Sequence, residues 1–273
     1  MKEKNLEHLV PMIENIIQRY FLKPVDNKEV NKEDIIIGLG SGSTVAELVK
    51  KISILPNKEN FIFIPTSIQI KMIAEKAGLK FTDESKIDNV DLVIDGADQI
   101  DHNLNMIKGG GGALFKEKII MYSSKERIII ADSNKFVNEF NLPIPIEVHP
   151  FARSTVTKKL ESMRIIGKIT KNSQIINRQN KNNGILRSTK PIIRTNQKGY
   201  PFFTENGNII IDTEFSGIVD IEKAELEIKS IPGVIEVGLF ARKNNTKYYS
   251  VNSEGKFSVK ASASLSSSSS SSN

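Results

Sequence analysis

Between Asp95 and Lys118 the chain runs DGADQIDHNLNMIKGGGGALFKEK, and this stretch holds most of the side chains that could do chemistry. Asp95 and Asp98 flank Gly96 and Ala97 directly after the apolar run VDLVI. Paired acids at such a place either fix a turn through their own backbone or serve as proton carriers at a strand end. Lys108 opens a run of four glycines. Glycine lets a backbone approach a ligand closely, so Gly109, Gly110 and Gly111 can form a concave nest of N–H donors with a full positive charge beside it. Gly112 has no evident contact and could serve only to start the next helix. Glu117 lies in the helical pattern ALFKEKIIMYSS. At about 100° per residue it projects between Ile120 and Met121, at the margin of the apolar stripe, whereas Lys116 faces solvent. A carboxylate partly desolvated at that margin holds a proton more tightly and suits a general base. The plainer alternative is an acid that complements the helix dipole.

A second glycine turn, GLGSGST over residues 38–44, follows an apolar strand pattern and opens a helix. It fails as a dinucleotide fingerprint: the third glycine position is Ser43, and the second strand ends Pro65-Thr66-Ser67 with no acid for a ribose hydroxyl. No G-K-[ST] sequence supplies a triphosphate loop. What remains is a set of backbone amides with Ser41, Gly42, Ser43 and Thr44 at a helix N-terminus. Unpaired N–H groups and the helix dipole suit a single phosphate there; the alternative is that the hydroxyls only cap the helix. Together the two turns offer a phosphate loop, an oxyanion nest with lysine, two fixed carboxylates and one proton-transfer carboxylate. That set can move a proton beside the carbonyl of a sugar phosphate.

The elements that must position these residues alternate. An amphipathic helix spans residues 6–21, with Pro11 marking a kink or its true start. DIIIGL, FIFIP, VDLVI and RIIIAD are short apolar strands, each ending in polar residues, and helices VAELVKKI, IQIKMIAEKAG and ALFKEKIIMYSS lie between them. LKFTD is a further short strand candidate. Apolar strands alternating with amphipathic helices predict an α/β fold: a Rossmann-like parallel sheet with helices on its faces and ligands beyond the carboxyl ends of the strands. From Pro143 the order becomes strand, helix, weak strands, helix IEKAELEIK, strand VIEVGLF, which is ferredoxin-like. The expected organisation is therefore 1–140 and 241–260 in the catalytic domain and 141–240 in an inserted α+β domain. KYYSVNSEGKFSV returns to the first sheet as a hairpin, and the serine-rich 261–273 should be disordered.

Composition excludes several classes of function. There are no cysteines and only three histidines, which removes disulfides and leaves little for a metal centre. No apolar run approaches the ~18 residues of a membrane span, and MKEKNLEHLV is not a secretory signal. The expectation is thus a cytoplasmic chain without membrane or nucleic-acid partners. The net charge of +6 is local: residues 162–204 carry nine Lys or Arg and no acid, so removing that +9 leaves −3 elsewhere. The basic Asn/Lys-rich part, near 168–200, is an anion-attracting patch or, more simply, a solvated insertion.

The motifs also resemble one family, type A ribose-5-phosphate isomerase. G-x-G-S-G-S-T at 38–44, D-G-A-D at 95–98, K-G-G-G at 108–111, Glu117 within F-K-E-K, A-D-x-x-K at 131–135, P-I-E-V at 145–148, A-R-S at 152–154 and I-P-G-V at 231–234 occur in the family's order over residues 5–260. The resemblance implies interconversion of D-ribose 5-phosphate and D-ribulose 5-phosphate in the pentose phosphate pathway, with no metal or organic cofactor. It implies Glu117 as the base between C1 and C2, and Asp95 with Asp98 for hydroxyl protons and ring opening. Lys108 and Gly109–Gly111 would serve the oxyanion, with Gly96 and Ala97 in the substrate wall. Ser41–Thr44 and Lys135 would bind the substrate, chiefly its phosphate. It also implies a homodimer or homotetramer. Three features depart from the pattern: the basic insertion and the serine tail are long, and Gln99 stands where an acid is expected. The same fold carries sugar-phosphate-sensing regulators and coenzyme A transferases; a regulator would need a DNA-binding module that one N-terminal helix cannot make, and a transferase would use a glutamate as covalent nucleophile.

Overall fold

The computed structural model describes residues 6–22, 35–82, 84–166, 185–187, 191–215, 218 and 220–262. Most of the basic segment and the serine tail lie outside them. In chain order the elements are α1 (Val10–Tyr20), β1 (Ile35–Leu39), α2 (Ser43–Ile52), β2 (Phe61–Pro65), α3 (Ile68–Lys76) and β3 (Leu92–Gly96). The short strands β4 (Gln99–Ile100) and β5 (Met106–Ile107) precede α4 (Leu114–Ser123) and β6 (Glu126–Asp132). Then come β7 (Ile144–Val148), α5 (Arg153–Ser162), β8 (Arg164–Ile166), β9 (Ile185–Arg187), β10 (Ile192–Ile193) and β11 (Ile209–Thr213). The chain closes with α6 (Ile221–Lys229), β12 (Val234–Val237), β13 (Leu239–Phe240), β14 (Thr246–Val251) and β15 (Phe257–Ala261).

The main sheet has the order β15-β14-β6-β3-β1-β2, parallel except for the antiparallel edge strand β15. Its inner parallel strands are apolar on both faces because both faces are covered, whereas the edge strand β15 is largely exposed. Ile37, Leu39, Ile94, Ile128, Ile130 and Tyr249 pack with α1, α2 and α3; Ile36, Val93, Ile129 and Tyr248 pack with Ile120 and Met121 of α4. The predicted terminal hairpin is present as β14–β15, with register Tyr249↔Val259. From β1 the chain moves outward to β2, then returns to add β3 on the other side. A crevice opens at such a reversal, beyond the carboxyl ends of β1 and β3.

The second sheet is antiparallel, order β10-β11-β7-β12. Taking β7, β10, β11 and β12 as first to fourth gives 2-3-1-4, the order expected of the ferredoxin-like arrangement. Its core is Ile146, Val148, Val156, Leu160, Ile211, Ile228 and neighbours, under α5 and α6. A third small sheet, β13-β5-β4, joins this domain to the segment before the glycine run.

Local details resolve two open readings. Pro11 sits in the first turn of α1, where its missing N–H costs nothing, so it starts the helix and does not kink it. LKFTD is not a strand: it contributes a single bridge, Phe81 to Phe63, because the chain leaves the edge of β2 at once.

Candidate active site

The carboxyl ends of the parallel strands deliver the polar residues. β1 leads into Gly40–Thr44, β3 ends in Asp95–Asp98, and β6 leads through Asp132 to Lys135. From these segments Asp95 and Asp98, together with Lys108–Gly111 and Glu117, line one cavity of about 450 Å³. Ser41, Gly42, Ser43, Thr44, Gly96, Ala97 and Lys135 line it too, so all the candidate catalytic and substrate-binding residues border the same space.

At its floor, Lys108 lies between two carboxylates. Its Nζ is 2.9 Å from Asp95 Oδ2 and 3.3 Å from Glu117 Oε2, and it donates to the Gly96 carbonyl at 2.6 Å. All three side chains are buried, Asp95 completely. Burial pushes the Asp95 carboxyl up, to about 7, and the Glu117 charge adds to it; Lys108 and the Gly96 N–H, which donates to Oδ1 at 2.7 Å, pull it down. For Lys108, burial alone would lower its proton affinity, but Asp95 and Glu117 outweigh that and raise it, so the ammonium stays charged. The group is one cation shared by two acids, with a proton readily held on the acid side. Gly40 makes this packing possible: a Cβ there would overlap the Asp95 carboxyl.

Glu117 is in the first turn of α4, which has no side-chain cap. Its Oε1 accepts from Ser41 Oγ at 2.5 Å. Its Oε2 and Asp95 Oδ2 both face the shared Lys108 ammonium. Ser41 therefore spends its hydroxyl on the candidate base. Gly42, φ +98°, is the N-cap of α2 and makes no side-chain cap bond. None of these hydroxyls makes a cap bond to α2, and the Gly42 N–H donates to Gln69 Oε1 at 3.2 Å, so the start of α2 borders the cavity with α3 beside it. In the glycine run, the Gly110 N–H donates to Asp98 Oδ2 at 2.7 Å, so Asp98 shapes the loop directly. Gly112 has a role the sequence left open. Its φ is +84°, and a Cβ would stand 2.6 Å from Phe202 Cε1. Lys135 Nζ donates to the Ala97 carbonyl at 2.7 Å, which ties the ends of β3 and β6 at the cavity wall.

The family model for ribose 5-phosphate isomerase A (phosphoriboisomerase A) matches residues 62–255. A ribose-5-phosphate isomerase of Dictyostelium discoideum is 40% identical over 225 residues, 80% of this chain and 87% of that protein. The chain belongs to the ribose 5-phosphate isomerase A family. Among solved structures, a D-ribose-5-phosphate isomerase in complex with phospho-erythronic acid superposes with TM-score 0.74 at 30% identity, covering 94% of this chain and 98% of that one. The enzyme of Methanocaldococcus jannaschii does so with TM-score 0.74 at 27% identity, covering 95% and 100%.

Against the family's motifs, Gln99 is buried away from the cavity chemistry. Its side-chain oxygen accepts from Asn141 N at 3.0 Å and Leu142 N at 3.1 Å, while its amide donates to Asn141 Oδ1. It anchors the crossing into the second domain, and only an amide can both accept and donate there. Sequence reasoning missed the wall that this domain contributes: Phe202, Phe203 and Glu205 line the cavity, as do Ser67 and Gln69 from the start of α3. Glu205 accepts from Ile68 N at 2.7 Å and pairs with Lys116 at 3.0 Å, so Lys116 is not simply a solvent-facing residue. Glu147, fully buried in β7, accepts from Thr204, Asn206 and Asn208 at 2.9–3.1 Å and so shapes that wall. TENGN at 204–208 was the available signal, a polar turn with a glycine at φ +77°.

Proposed function

We propose that the chain interconverts D-ribose 5-phosphate and D-ribulose 5-phosphate, with Glu117 carrying the proton between C1 and C2. The observation that carries this is the placement of Lys108 between Asp95 and Glu117 at the floor of a cavity whose other wall is the glycine loop. Asp95 opens the sugar ring by handling its hydroxyl proton, with Asp98 holding the loop beside it. Glu117 then takes the proton from C2; the C–H electrons form the C1–C2 double bond and the carbonyl π pair moves onto O1. Lys108 and the glycine amides stabilise that oxyanion. Asp95 moves the hydroxyl proton between O2 and O1, and Glu117 returns its proton to C1, so no atom or electron is gained or lost. Ser41–Thr44 with the start of α2, and Lys135, hold the phosphate.

A positioned base is worth on the order of 10²–10⁴ in rate. Glu117→Gln keeps the Ser41 contact and removes the base, so kcat should fall by about that factor with KM within a few-fold. The assay is conversion of ribose 5-phosphate to ketopentose; a Glu117→Gln chain with the wild-type rate would refute the assignment. Phospho-erythronic acid, the ligand of the solved neighbour, should inhibit. A cytoplasmic homodimer or homotetramer, and the division into 1–140 plus 241–260 against 141–240, belong to the same reading on the family's habit. Native mass spectrometry and limited proteolysis test them. Among the described residues no helix is long and apolar enough to cross a membrane.

A further inference from the structure

Arg194 comes from the basic segment whose charge, as a sequence feature, had no assigned use. It follows β10 in the second domain, and its guanidinium is gripped by Asp212 of β11: Nε donates to Oδ2 at 2.8 Å and Nη2 to Oδ1 at 2.5 Å. The remaining edge crosses to the catalytic domain. Nη1 donates to the carbonyl of Gly109 at 2.8 Å and to that of Gly110 at 3.1 Å. In a trans peptide the C=O and the following N–H point to opposite sides. Fixing these two carbonyls on the arginine side therefore turns the Gly110 and Gly111 N–H groups away from it. The Gly110 N–H is found on Asp98 Oδ2. The Gly111 N–H meets no protein acceptor among the described residues and borders the cavity.

We infer that Arg194 is a positioning residue for the isomerisation. It holds the glycine loop with the Gly111 N–H presented to the developing oxyanion, and its charge, transmitted through the two carbonyls, strengthens that donor. The assignment rests on the functional reading above. Free glycines lose more backbone freedom than any other residue when fixed, so a loop of four needs an outside clamp to offer preorganised donors. Asp212 supplies the geometry by holding the fork in one plane.

The test uses the full chain with Arg194→Lys and Asp212→Asn. Lysine keeps the charge but cannot bridge Asp212 and both carbonyls at once; Asp212→Asn keeps the arginine and loosens its anchor. Removing one preorganised oxyanion donor costs roughly 10²–10³ in rate; a loosened one should cost about 10–100-fold in kcat for Arg194→Lys and less for Asp212→Asn, with KM within about threefold. Phospho-erythronic acid, whose carboxylate stands for the enediolate oxygens, should bind Arg194→Lys more weakly by a factor close to the loss in kcat. A residue that merely joins the two domains would lower the melting temperature without this split. Arg194→Lys with wild-type kcat, or a loss confined to KM with unchanged phospho-erythronic acid binding, overturns the inference while leaving the functional reading intact. A wild-type chain that forms no ketopentose overturns both.

Discussion

Lys108→Met tests the electrostatics of the site most directly. Methionine keeps the length and apolar bulk of the lysine stem and removes the cation that Asp95 and Glu117 share at 2.9 and 3.3 Å. Breaking a buried pair so that a charge stays behind costs about 3–5 kcal/mol. For a chain of this size, at about 2–4 °C per kcal/mol, that is roughly 6–20 °C in melting temperature. The deficit must depend on pH, and the sign follows from Asp95. Its carboxyl is held at about 7 in the folded chain against an ordinary 3.8, with Lys108 pulling it down. A raised folded value means that the native state binds a proton the unfolded chain has released. The associated stability is full below about pH 4 and is lost as pH rises through the folded value. Without Lys108 that folded value goes higher still, and the loss extends above pH 7. At pH 5 Asp95 is protonated and the methionine is tolerated; at pH 8.5 it faces uncompensated charge. Thermal unfolding followed by circular dichroism should therefore give a deficit at pH 5 less than half that at pH 8.5. Turnover should fall by at least ~10² at both. Equal deficits at the two pH values, or a variant as stable as wild type at pH 8.5, would refute the shared-cation account.

Three further outcomes follow from the packing. Gly40→Ala puts a methyl into the Asp95 carboxyl; overpacking of this kind costs about 1–3 kcal/mol, and kcat should drop at least tenfold, measured alongside urea unfolding. Gly112→Ala combines φ +84° with a contact at 2.6 Å to Phe202, so it should destabilise by about 1–3 kcal/mol and raise KM as the aromatic wall moves, read from steady-state kinetics. Prolonged dialysis against EDTA should leave kcat unchanged, since Lys108 and backbone amides supply the positive field; loss of activity restored by a divalent cation would contradict this.

The parallel sheet was legible because each strand is an apolar run that ends abruptly in polar residues, and the run-to-helix alternation leaves few topologies. The catalytic side of the site was legible for the same reason: Asp95, Asp98, Lys108, Gly109–Gly111 and Glu117 are near neighbours in the chain, so spacing carries their geometry. Arg194, Phe202 and Glu205 were not legible. They lie far along the sequence, in a segment where lysine and asparagine abundance hides one arginine that happens to face an aspartate across a hairpin. LKFTD failed in the opposite direction. Its β-type composition is real, but strand formation needs a partner edge for longer than one residue, and composition does not say whether the chain stays there.

Adjacent residues of α4 show why the second domain matters to the chemistry. Side chains one position apart diverge by about 100° on a helix, and Glu117 and Lys118 use that divergence to face different domains. Glu117 enters the cavity, while the Lys118 ammonium is buried against the second domain. Its three protons are shared among Glu225 at 2.8 Å, Glu236 at 3.1 Å and the carbonyls of Val237 and Leu239 at 2.5 and 2.8 Å. Any rotation of α4 that carried Glu117 out of line with Lys108 and Ser41 would also drag a buried ammonium off its acceptors, at a cost of several kcal/mol. The rotation of the helix about its own axis, and with it the aim of the candidate base, is thus held by a residue outside the cavity lining.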